Sequence, residues 1–139
     1  MRIVLAGLLA IAFTAGAAQA ATETGVTSQH RPVSVTITHK KLTGLIITLR
    51  ATCTNHTHLE FTPGFEAPFA HPQSASGRVG DSYNILGRDV ATDARFRQQA
   101  RFTATIRGTQ LTATAQATQT LLATGVVCRS PTVSFRLHV

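Results

Sequence analysis

Three residues in alternate positions, His56-x-His58-x-Glu60, form the densest ligating pattern in the chain. On a strand they project from one face, roughly 6.5–7 Å apart. Two imidazoles and a carboxylate can hold zinc and leave a coordination position open, and His71 can supply a further ligand. Asn55 and Thr57 give the same segment a loop character, in which these are ordinary surface histidines. A metal-binding protein or metal-dependent enzyme built on His56, His58 and Glu60 is therefore one reading of the chain.

A second constellation is basic. Arg95, Arg97, Arg101 and Arg107 share a parity, with Gln99, Thr103 and Thr105 between them. Guanidinium groups bind phosphate and carboxylate through two parallel hydrogen bonds, and Thr and Gln add neutral donors. Such a face can hold a polyanion. The plainer account is a solvated outer face whose charge discourages strand-to-strand aggregation. A hydrolase reading has less to stand on: no Gly-x-Ser-x-Gly elbow is present. Asp81, Asp89 and Asp93, close in sequence to Arg88 and Arg95, are expected to be salt-bridged turn residues. Asn55-His56-Thr57 matches a glycosylation acceptor, but the Ala-rich start of the chain has a bacterial character, so the match is set aside.

The elements that must carry these residues read as strands. Val33, Val35 and Ile37 alternate with polar residues after Pro32, which suits a strand start because its missing N–H is tolerated there. Lys40 to Gly44 is expected to turn. Leu45, Ile47, Leu49, Ala51 and Cys53 then fall on one face. Phe96, Gln98, Ala100, Phe102, Ala104 and Ile106 share another face, and so do Leu111, Ala113, Ala115 and Ala117. Gly108-Thr109 between these runs suits a two-residue type II′ turn. That turn pairs Ile106 with Leu111, Ala104 with Ala113 and Phe102 with Ala115, and a one-residue slip would oppose them to Thr and Gln. Val133, Phe135, Leu137 and Val139 mark the last strand. The Pro-, Gly-, His- and Ser-rich middle predicts loops and short strands near His58 to Thr62 and Ser82 to Leu86. No window has a helical period, and Asp89 to Phe96 has room for one short turn.

Residues 1–20 read as an export signal. Arg2 precedes an apolar run from Ile3 to Phe13, and Ala18-Gln19-Ala20 reads as a cleavage site. The run is too short to span a bilayer core of roughly 30 Å. Residues 21–139 then form one domain, located in the cell envelope or secreted. With Arg2 removed, twelve basic residues face six acidic ones, which favours anionic partners. Cys53 and Cys128 are the only cysteines, and an oxidising compartment makes a disulfide the expectation. The alternation argues an all-β fold: an antiparallel two-sheet β-sandwich of roughly seven to nine strands, closed by that disulfide. No Trp is available to pack on the bridge as in immunoglobulin domains, and aromatic girdles of a membrane barrel are absent.

Gly25-Val26-Thr27-Ser28-Gln29, Arg31-Pro32-Val33, Cys53, the hairpin around Gly108, and Cys128 ahead of the final strand follow one another along the chain. In these features the chain resembles a loose group of short secreted bacterial proteins to which no activity is attached. The resemblance implies a β-sandwich with a Cys53–Cys128 bridge and no reaction. The combined expectation is a non-enzymatic, cofactor-free monomer that binds an anionic polysaccharide or wall polymer through Arg95, Arg97, Arg101 and Arg107, without sequence-specific nucleic-acid contact. A purely structural envelope component is the remaining alternative.

Overall fold

Apolar and polar residues alternate along most of the chain, and the backbone follows that period of two. The computed structural model describes residues 19–139. Arg2, the run from Ile3 to Phe13 and Ala18 of the expected export signal lie outside the described residues. The strands are β1 (Ala21–Val26), β2 (Pro32–Thr38), β3 (Lys41–Ile47), β4 (Leu49–Cys53), β5 (His58–Phe61), β6 (Gly64–Glu66), β7 (Arg78–Arg88), β8 (Arg95–Arg107), β9 (Gln110–Leu121), β10 (Val127–Arg129) and β11 (Val133–His138). No helix occurs among the described residues.

Two antiparallel sheets enclose the core. One has four strands in the order β1-β2-β3-β6. The other has seven in the order β5-β4-β10-β9-β8-β7, with β11 also paired to β9. The strand number exceeds the expected seven to nine partly because the chain changes sheet at corners. The apolar run from Leu45 to Cys53 begins in the smaller sheet and, past Thr48, continues in the larger one. Its parity survives because both sheets face the same core: Leu45, Ile47, Leu49, Ala51 and Cys53 are all buried. Phe61, Pro63 and Phe65 make the same passage from β5 to β6. The two corners brace each other, with Ile47 N–H donating to Pro63 O at 3.1 Å and the Thr48 and Thr62 hydroxyls 3.2 Å apart. Sandwiches commonly make corners by such sheet-switching bends.

The late hairpin has the expected register. Ile106 faces Leu111, Ala104 faces Ala113 and Phe102 faces Ala115. Alanines on the inner side of β8 and β9 leave room for aromatic side chains from across the core. Phe65 meets the Phe102 ring edge-on at 4.8 Å, and Phe69 meets the same ring at 5.3 Å. The expected turn at Lys40 to Gly44 is corrected. The reversal is tighter, at His39-Lys40, with φ of 52° and 62°. Lys41 already starts β3, and the pairing shifts by one between Thr36 and Ile37, leaving Thr43 as the extra residue of a bulge. The strand expected at Ser82 to Leu86 extends over Arg78–Arg88.

Cys53 and Cys128 are bonded, with Cα atoms 3.9 Å apart. Both are buried in the layer between the sheets, as expected, but the bridge joins neighbouring strands β4 and β10 of one sheet.

Candidate anion-binding face

Strand alternation sends every second side chain of the seven-stranded sheet away from the core. On β8 the burial pattern leaves Arg95, Arg97, Gln99, Arg101, Thr103 and Arg107 exposed while Gln98, Ala100, Phe102 and Ala104 are buried. The cross-strand registers extend this outer face sideways. Arg78, Thr105, Thr112 and Arg136 form one row across β7, β8, β9 and β11. Ser82, Arg101 and Gln116 form another, and Asn84, Gln99, Thr118 and Arg129 a third. The four arginines singled out in the sequence are thus brought to one face, and no element of the described chain packs over them. Arg78, Arg129 and Arg136 join them there and were not part of the sequence reading.

The face is shallowly concave. A groove of about 820 Å³ holds Arg78, Arg107 and Arg136, with Thr103, Thr105, Thr112, Thr114 and Ser134 as its floor. A second hollow of about 590 Å³ lies over Ser82, Asn84, Gln99, Arg101, Gln116, Thr118 and Arg129. A smaller one, sharing Thr103 and Thr114 with the first and Arg101 and Gln116 with the second, connects them. The result is one trough running along β8 and β9. No aspartate or glutamate occupies an outward position of β7, β8, β9, β10 or β11, and no aromatic ring does either. Arg101 Nη2 donates to Gln116 Oε1 at 2.8 Å, which orients its guanidinium within the trough. Arg88, at the far end, is tied to Asp93 at 2.8 Å. That pair fits the expected salt-bridged turn.

The other two aspartates are occupied with backbone. Asp89 accepts from the N–H groups of Ala91 and Thr92, and these bonds, Thr92 first, hold its carboxyl below the usual carboxylate range. Asp81 sits on β7 rather than in a turn, and accepts from Ala70 and Ser82 N–H. Neither approaches a nucleophile–base arrangement.

The His-x-His-x-Glu pattern does not assemble. His56 lies in the turn after β4 with φ of 65°, off the strand that carries His58 and Glu60. Glu60 pairs with Arg31 Nε at 2.6 Å, and the His58 ring faces the Thr52 hydroxyl at 3.4 Å. His71 bridges to Gly80 at the edge of β7. Among the described residues no three of His, Cys, Asp and Glu stand close enough together to hold a metal ion. The residue spacing was right for a strand, but the tight turn at His56 breaks the alternation on which the site depended.

No protein-family model matches the chain, and no curated protein or solved structure matches it significantly.

Proposed function

We propose that this is a non-enzymatic protein, exported to the envelope or secreted, whose outer sheet face binds a linear anionic polymer such as an acidic polysaccharide or wall polymer. The observation that carries the reading is the uncovered trough along β8 and β9, lined with arginines and free of carboxylates. From Arg95 to Arg107 the strand extends for about 40 Å at about 3.3 Å per residue, so a chain lying along it meets several guanidiniums in succession. Each exposed contact is weak, so affinity rests on their number and falls as salt competes. The lack of outward aromatic rings leaves no platform for stacking neutral sugars or bases, which sets charge and hydrogen bonding as the means of recognition.

Heparin or polyphosphate columns at low salt test this. The protein is expected to be retained, and to elute at markedly lower salt when Arg97 and Arg101 are both replaced by Ser, with an unchanged melting temperature. Retention that ignores the double substitution refutes the reading.

A further inference from the structure

The trough is not uniform. At its hairpin end Arg78, Arg107 and Arg136 line a single groove, and the ion pairs found among the described residues, Arg31 with Glu60 and Arg88 with Asp93, include none of the three. Elsewhere on the face Arg101 is held by Gln116 and Arg88 by Asp93, while Arg95, Arg97 and Arg129, also without a side-chain partner among the described residues, do not line this groove. We propose that this corner is a discrete subsite for a tetrahedral oxyanion, a phosphate or sulfate ester group carried by the polymer. The inference rests on the trough reading and goes beyond it by naming the group recognised and the place.

The geometry is set by register. Arg78 and Arg136 lie in one row, three strands apart, which places their Cα atoms roughly 14 Å from each other across Thr105 and Thr112. Arg107 is one same-face step along β8 from Thr105, about 6.5–7 Å away. Side chains rooted at these three corners line one groove, with hydroxyls of Thr103, Thr105, Thr112, Thr114 and Ser134 also on its lining. Two walls fix the corner. On one side, Ser28 N–H donates to Ser134 O at 2.8 Å and Ser134 N–H to the Ser28 hydroxyl at 3.1 Å, seating the segment from Val26 to Ser28 against β11. On the other, Gly77, at φ of +82°, turns the chain into β7 while its carbonyl accepts from Ile106 N–H at 3.0 Å.

Every charged group here is a donor and no carboxylate is present to accept. A planar carboxylate has two oxygens and is satisfied by one guanidinium fork. Three forks and several hydroxyls around one hollow match a group with three or four oxygens in a non-planar array, as a phosphate or sulfate ester presents. Selectivity for phosphate or sulfate over acetate follows.

The test follows the arginine Nε–H resonances of the full folded chain by NMR during titration with inorganic phosphate, sulfate or acetate at constant ionic strength. Arg78, Arg107 and Arg136 are expected to shift together with phosphate and sulfate and to stay in place with acetate. Arg136→Gln and Arg78→Gln are each expected to weaken the phosphate response roughly fivefold, the scale of one exposed charged contact. Acetate acting like phosphate, or variants that leave the titration unaltered, overturns the proposal. Column retention of the wild type is read separately: retention without a corner-specific phosphate response removes the subsite and leaves the trough, whereas no retention at low salt removes the trough itself.

Discussion

Tyr83, the only tyrosine in the chain, points into the core side of β7, with its ring 5.1 Å from Phe65. Its hydroxyl donates to Gln98 Oε1 at 3.0 Å, and the Gln98 amide donates onward to Gln119 Oε1 at 3.3 Å. Gln98 and Gln119 are buried directly opposite each other on β8 and β9, so this short chain supplies partners to polar groups on the inner face. Burial pushes the phenol from its ordinary 10.0 up to about 12. A folded pKa above the unfolded one means the contribution to stability is complete below pH 10 and is lost as pH rises through about 12. Because one residue supplies the whole phenolate absorbance, the measurement is direct. Native protein should titrate near 12 and protein in guanidinium near 10. A native midpoint near 10 would place the phenol in water and break the Gln98 contact.

The elements differ in how openly the residues announce them. The β8–β9 hairpin is legible because the Gly108-Thr109 turn fixes register locally and the alternation is unbroken. β7 is not, since Asp81 and Gly87 interrupt its apolar face. Gly87 is there for packing: a Cβ would sit 2.4 Å from the Phe96 ring. β1 hides for the opposite reason, as half of Ala21–Val26 is polar, no residue of it is buried and most are exposed. The pairing of β11 with β9 depends on a long connection rather than a tight turn, so no local rule gives its register. This is why Arg78, Arg129 and Arg136 were missed although Arg95, Arg97, Arg101 and Arg107 were found: the face needed cross-strand register as well as parity. Two glycines separate turn chemistry from packing at this scale. At Gly77 a Cβ would lie 2.0 Å from Ile106 O on a backbone with positive φ, whereas Gly108, φ +59°, has nothing within 4 Å. Gly77→Ala should therefore destabilise by about 3 kcal/mol or more, through strain and displacement of β8 backbone. Gly108→Ala should cost about 1 kcal/mol, from the left-handed conformation alone. Urea midpoints measure both, and equal effects would mean that the wall at Gly77 yields freely.

At the scale of the whole molecule the two halves of the larger sheet are joined narrowly. β10 is registered to β4 only through Cys128 with Cys53 and Arg129 with Thr52, and β5 reaches the rest of that sheet through β4. By contrast β8 and β9 are in register from Phe96 and Leu121 to Arg107 and Gln110. The disulfide, with a sequence separation of 75, therefore reinforces the weakest seam of the sheet. On the chain-entropy account, closing a loop of that size contributes on the order of 4 kcal/mol. Replacing both cysteines by Ala should lower global stability by a similar amount, and the loss should be uneven in space. Amide exchange should accelerate most in β4, β5 and β10, because those strands lose their covalent tie, while the β8–β9 hairpin keeps its protection up to the reduced global limit. The trough lies mainly on β7, β8, β9 and β11, so the same variant, kept below its melting temperature, should still be retained on the anionic column. Uniform acceleration of exchange would show that the seam is held by packing across the core rather than by the bridge. Loss of retention in a variant that remains folded would show that the arginine face depends on β10, through Arg129 and the Gln116 contact with Ser130 O at 3.5 Å.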